Sequence, residues 1–143
     1  MKKPQSVKSL ETLGSVRLSK SFFMRDFIYS EISNYYGIPN IPDYPDTAIE
    51  ACGHLCNELL EPLNDAFGRV SIFSGYRSPS VNQTGNEKKL NCASNESNYA
   101  GHIFDYKDAS GGMGATVSVV IPWFVDQYEN GRSWQDLAWW IHD

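Results

Sequence analysis

Apolar and polar positions divide the chain into stretches of distinct period. Residues 1–17 are polar and lack period, which predicts a loose N-terminal arm ahead of a single domain over residues 18–143. LSKSFFMRDFIYSE, starting at Leu18, predicts a short helix with Ser21 as its N-cap and Phe27 and Ile28 facing inward. GIPNIPDYPD, Gly37 to Asp46, holds three prolines in ten residues and reads as an extended, ordered loop. Asp46 is placed to cap the next helix, TAIEACGHLCNELLEPLNDAF. Its apolar positions Ala48, Cys52, Leu55, Cys56, Leu59, Leu63 and Phe67 follow the helical period. Pro62 should kink this helix and Gly68 should end it.

The second half is more broken. RVSIFSGYRS predicts a short strand with Ser74, Gly75, Tyr76 and Arg77 at its end, and Ser78-Pro79 starts a turn. VNQTGNEKKLNCASNES reads as a long polar surface loop, and HIFDY as a second short strand. DASGGMG is a glycine-rich turn without the lysine and Ser/Thr of a phosphate loop. ATVSVVI suits a strand or the start of a helix running through PWFVDQY. SWQDLAWWIHD suits a helix with a capping-box-like start at Ser133 and Asp136 and a stripe of Trp134, Leu137, Ala138 and Ile141. The expected fold class is therefore α+β, a small antiparallel sheet packed with helices.

Composition narrows the function classes. The 143 residues carry a net charge of −5, which argues against a nucleic-acid binder with its basic face. No window reaches the roughly 18 apolar residues of a membrane span, and ATVSVVIPWFV is interrupted by Pro122. Met1-Lys2-Lys3 imitates the start of a secretory leader, but no continuous apolar run follows it. Three cysteines do not make a disulfide framework. Cys52 and Cys56 share a helix face and read as core. His54 points about 160° away from them on a helix of 3.6 residues per turn, which opposes a metal clip.

The chemistry concentrates in SNESNYAGHIFDY, Ser94 to Tyr106. It looks like a metal motif with its first ligand missing: Gly101 stands four residues before Asp105, and His102 is present at an odd spacing. Together with LSKSFFMRDFIYSE, HLCNELLEPLNDAFG and VSIFSGYRSPSVN, this segment resembles the D-alanyl-D-alanine metallopeptidases. These are zinc carboxypeptidases, dipeptidases and endolysins that cut peptidoglycan stem peptides. The resemblance covers roughly residues 18–143, and GGMGATVSVVIPWFVDQYENGRSWQDLAWWIHD is closest to versions carried by small single-stranded DNA phages.

The resemblance implies a zinc D-Ala-D-Ala peptidase-like fold and a set of expected roles. The family pattern Ser-x-His-x-x-Gly-x-Ala-x-Asp places Asp105 at a zinc ligand, Asn98 at the histidine ligand, Glu96 at the serine and Ile103 at the alanine. A neutral carboxamide is a weak zinc ligand. On a strand, His102 and Asp105 would face opposite sides, so His102 does not simply replace the missing ligand. Trp140-Ile141-His142 matches the letters of the family's third ligand, Trp-x-His. Its helical surroundings place it instead before the last strands; missing final strands would leave an exposed sheet edge, which predicts poor solubility or a partner covering that edge. Arg77, with Ser74 and Tyr76, is the expected substrate group, holding a carboxylate or stabilising an oxyanion; the structural alternative is an arginine that ties down the following loop.

Three readings follow. In the first, the zinc site is degenerate, and the chain binds peptidoglycan stem peptide at its D-Ala-D-Ala end or serves as an accessory protein with little or no peptidase activity. In the second, an active zinc peptidase assembles an atypical site from Asp105, His142 and either His102 or a carboxylate. In the third, the module is purely structural. The phage resemblance implies the cytoplasm of an infected bacterial cell, with action directed at the cell wall.

Overall fold

The computed structural model describes all 143 residues as a small α+β protein, nine α-helical segments with a two-stranded antiparallel sheet. The helical segments are α1 (Val7–Gly14), α2 (Arg25–Ile28), α3 (Glu31–Tyr36), α4 (Pro45–Leu55), α5 (Glu61–Phe67), α6 (Pro79–Glu87), α7 (Asn95–Asn98), α8 (Pro122–Glu129) and α9 (Trp134–His142). A π-helical turn, Cys56–Leu60, joins α4 and α5 into one uninterrupted rod. The strands are β1 (Ser71–Ser74) and β2 (Ser118–Val120). No helix is long and apolar enough to cross a membrane.

The rod carries the core. Ala48, Cys52, Cys56, Leu60 and Leu63 are buried along it and pack with Leu13, Met24, Phe27, Val70, Tyr76 and Phe104. The expected kink at Pro62 takes the form of the π-turn just before it. The Glu61 N–H reaches back to the Cys56 carbonyl, which absorbs one extra residue ahead of a proline that has no N–H to give. Pro45 opens the rod at the first helical position, and Asp46 lies in the first turn rather than capping it. Gly68 closes it with φ of 80°, as expected.

Residues 1–17 are not a loose arm throughout. Val7–Gly14 is a helix whose cap is reciprocal: the Ser9 N–H donates to Ser6 Oγ, and the Ser6 N–H to Ser9 Oγ. Leu13 is fully buried in the core. Ser21 does not cap α2 either. Its backbone and hydroxyl bind the Glu61 carboxylate, while Asp26 receives the Phe23 N–H at 2.8 Å.

The polar stretch after Ser78 is largely helical rather than a loop. Ser78 caps α6 through the Val81 N–H, with Pro79 at the first helical position. Ser94 caps α7 through the Ser97 N–H. HIFDY is not a strand. Apart from an isolated bridge between Tyr99 and Ile103 the segment is built of turns, and Ile103, Phe104 and Asp105 are buried in succession. Residues 98–106 coil tightly instead: the Gly101 and Ile103 N–H groups both reach the Asn98 carbonyl, and Ala100 N–H reaches Tyr106.

The partner of β1 is β2, with Ser71 opposite Val120, Ile72 opposite Val119 and Ser74 opposite Ser118. Phe73 has no opposite number and is bulged out, 68% exposed. Of the expected α9 stripe, only Leu137 turns inward; Trp134 is 60% exposed and Ile141 is also exposed. The helix is held instead by Trp140, which packs edge-on against Phe67, itself stacked on Trp123 of α8.

Candidate functional site

The Ser-Gly-Tyr-Arg turn at the end of β1 is fixed from three sides. The Tyr76 N–H donates to the Phe27 carbonyl at 2.8 Å, and the Tyr76 carbonyl accepts from Asn40 Nδ2. Gly75 lies so close to Phe27 that an added Cβ would stand 2.8 Å from the Phe27 carbonyl oxygen. The Tyr76 ring is fully buried, edge-on to Phe104. Asn40 also accepts the Ser78 N–H at 2.7 Å, so one buried amide holds both sides of Arg77.

Asp105 stands behind this turn, 3% exposed. Its Oδ1 accepts from Tyr76 Oη at 2.9 Å, and its Oδ2 accepts from the Asp43 and Tyr44 N–H groups at 2.8 and 3.1 Å. The carboxylate therefore ties the proline-rich loop to the Tyr76 turn. Burial raises its pKa above the ordinary aspartate value, against the opposing pull of these hydrogen bonds. Burial and the adjacent Asp105 also push the Tyr76 phenol up, so it stays protonated and donates.

Asn98, at the family's histidine position, is 8% exposed and committed to a cluster of amides. Its Nδ2 donates to Asn82 Oδ1 at 3.0 Å and to the Ala93 carbonyl. Asn82, fully buried, donates in turn to Ala93 and to Asn95 Oδ1. Asn95 donates to the Pro79 carbonyl, and Asn86 to that of Cys92. Four asparagines thus bind α6, α7 and the intervening loop together.

His102 also faces a backbone partner. Its Nδ1 lies 2.9 Å from the Gly75 carbonyl, which can only accept, so this nitrogen carries the proton. Burial lowers its pKa, opposed by that hydrogen bond, and the nearby Arg77 charge lowers it further, so the ring is neutral. His142 lies far along the chain at the exposed end of α9, 3.2 Å from Asp143.

The structure does not bring Asp105, His102 and His142 together into one ligand set. No three His, Cys, Asp or Glu side chains are grouped to hold a metal. Asp105 is occupied by three protein donors and Asn98 by its own cluster. We expect that Asn98→His, which restores the family's letter, will cost about 1–3 kcal/mol by leaving Asn82 Oδ1 without its donor. Urea unfolding of the variant with and without zinc checks this, and stabilisation by zinc would count against it.

The structure does bring Ser74, Tyr76 and Arg77 together, on the wall of one cavity of about 540 Å³. The remaining wall comes chiefly from α3 and its approach, with Tyr29, Glu31, Ile32, Tyr35 and Tyr36, and from the bulged Phe73 and Leu90. Arg77 is half-buried and makes no ion pair with any carboxylate of the chain. Its backbone N–H donates to the His102 carbonyl, Nη1 donates to Cys92 Sγ at 2.7 Å, and Nε is buried without a partner. Burial lowers the Arg77 pKa from its ordinary value, the Cys92 contact working against this. The guanidinium remains a cation without an anion.

The α3 wall was not recognisable in the sequence, because the tyrosines of SEISNYY show no amphipathic stripe and are largely exposed. Its local signals are Ser30, which caps α3 through the Ser33 N–H, and Gly37, which ends it with φ of 65°. Comparison of the chain with family models, with curated proteins and with solved structures finds no match.

Proposed function

We propose that this chain is a D-Ala-D-Ala metallopeptidase-like protein that binds a cell-wall stem peptide rather than cutting it, with Arg77 holding the terminal carboxylate. The observation that carries this reading is Arg77 itself, a half-buried guanidinium on the wall of an aromatic cavity that makes no ion pair. A carboxylate is the natural complement of such a group, since the fork of a guanidinium matches two oxygens. A cavity of this size suits a ligand of a few residues. The engagement of Asp105 by three protein donors, and of Asn98 by its own amide cluster, supports binding over hydrolysis.

Calorimetric titration with acetyl-L-Lys-D-Ala-D-Ala tests this reading. The wild-type chain should bind the tripeptide, and Arg77→Lys should weaken it about tenfold or more, the loss of one charge-assisted hydrogen bond. Unchanged affinity in a folded Arg77→Lys variant would refute the assignment.

A further inference from the structure

We infer that the Arg77 cavity takes a dipolar ligand, with Arg77 receiving its carboxylate and Glu31, beside Tyr35 and Tyr36, receiving an ammonium group. This rests on the reading above that Arg77 holds a carboxylate, and it adds the second half of the ligand. Glu31 and Arg77 are the only lining residues charged at neutral pH. They come from different elements, the first turn of α3 and the end of the β1 turn, and no ion pair joins them or links either to another residue.

Arg77 alone would accept any carboxylate. A carboxylate on the same wall set repels a second negative charge and attracts a positive one, so the cavity selects for a ligand that carries both signs. The aromatic surroundings favour the same ligand, because the face of a tyrosine ring attracts a cation. One ring is already used in this way: Lys88 Nζ stands 5.9 Å over the centre of Tyr36. Tyr35 packs edge-on against Tyr36, with ring centres 4.9 Å apart, so the two rings form a continuous aromatic wall. Ile32, Phe73 and Leu90 supply apolar surface for the methylenes between the charges. The ligand class is a short peptide bearing a lysine-like side chain close to a free carboxyl end.

The test compares 6-aminohexanoate with hexanoate, probes that differ only in the ammonium group, by NMR titration of the full chain. 6-Aminohexanoate should bind at least fivefold more tightly, and Glu31→Gln should erase that advantage. Equal affinities, no binding of either probe, or an advantage that survives in Glu31→Gln would overturn the inference. The cell-wall reading is tested separately with the acetylated tripeptide. If 6-aminohexanoate binds as described and the tripeptide does not, the dipolar site stands and the cell-wall reading falls. If the tripeptide and its Nε-acetylated form bind equally well, the cell-wall reading stands and the dipolar site falls.

Discussion

Asp105→Ala should destabilise the protein by about 3–5 kcal/mol, a large share of the roughly 5–15 kcal/mol that holds a domain together. The substitution strands three donors at once, the Asp43 and Tyr44 N–H groups and the Tyr76 hydroxyl, in a site closed to solvent. Asp105→Asn should behave quite differently. Its carbonyl oxygen can accept from both backbone groups, and its amide can donate to Tyr76 once the hydroxyl turns round. We expect a change within about 1 kcal/mol of wild type at pH 7, since the amide also avoids burying a charge. The two variants should diverge with pH in a defined direction. Asp105 has a folded pKa above its unfolded one, so its contribution is full below the unfolded value and is lost as pH rises through the folded value. Asp105→Asn should therefore gain on wild type between acid and neutral pH. Denaturant unfolding at both pH values measures it, and a gain in the opposite direction would show that hydrogen bonding outweighs burial at this carboxylate.

Gly75→Ala should cost about 3 kcal/mol, the upper part of the range for overpacking a well-filled site. The new methyl would press on the Phe27 carbonyl oxygen, Cα and Cβ at 2.8, 3.1 and 3.3 Å. The backbone cannot retreat without lengthening the bond from Tyr76 N–H to that same carbonyl. Any such shift also moves Arg77, so peptide affinity should fall with stability. Gly53→Ala is the matched control: nothing lies within 4 Å of its Cβ position, in the last turn of α4 and inside the continuous rod. That change should stabilise by about 0.5–1 kcal/mol through helix propensity. Equal stability of the two variants in thermal unfolding would contradict the close packing of Gly75 on Phe27.

What could be read from the sequence depended on period and on local chemistry. The rod was legible because Cys52, Cys56 and Leu63 repeat at helical spacing, and its end was legible because Gly68 takes the positive φ that glycine tolerates. The Ser-Gly-Tyr-Arg turn at the end of β1 was legible from β-branched residues running into glycine. Helix α1 was missed because its cap pairs Ser6 with Ser9 rather than with a glutamate, and Leu10 and Leu13 alone give too short a stripe. Helix α6 was missed because its buried face is Val81, Asn82 and Gly85, which carries little hydrophobic signal. HIFDY was misread because five residues rich in β-formers look like a strand, whereas tertiary packing buries three neighbours in a row. Within the site, the approach of Ser74, Tyr76 and Arg77 was implied by adjacency. Their meeting with Glu31 and the α3 tyrosines was not, since it depends on how Phe27 docks the segment before α3 against the β1 turn.

The central claim is that the Arg77 cavity holds a peptide carboxylate and leaves the peptide intact. The measurement that bears on it most directly is calorimetry of the wild-type chain with acetyl-L-Lys-D-Ala-D-Ala and with its C-terminal amide, with mass spectrometry of each mixture afterwards. Binding of the acid, at least tenfold weaker binding of the amide, and no released D-alanine are the expected results. Equal affinity for acid and amide, or release of D-alanine that Asp105→Asn abolishes, would contradict it.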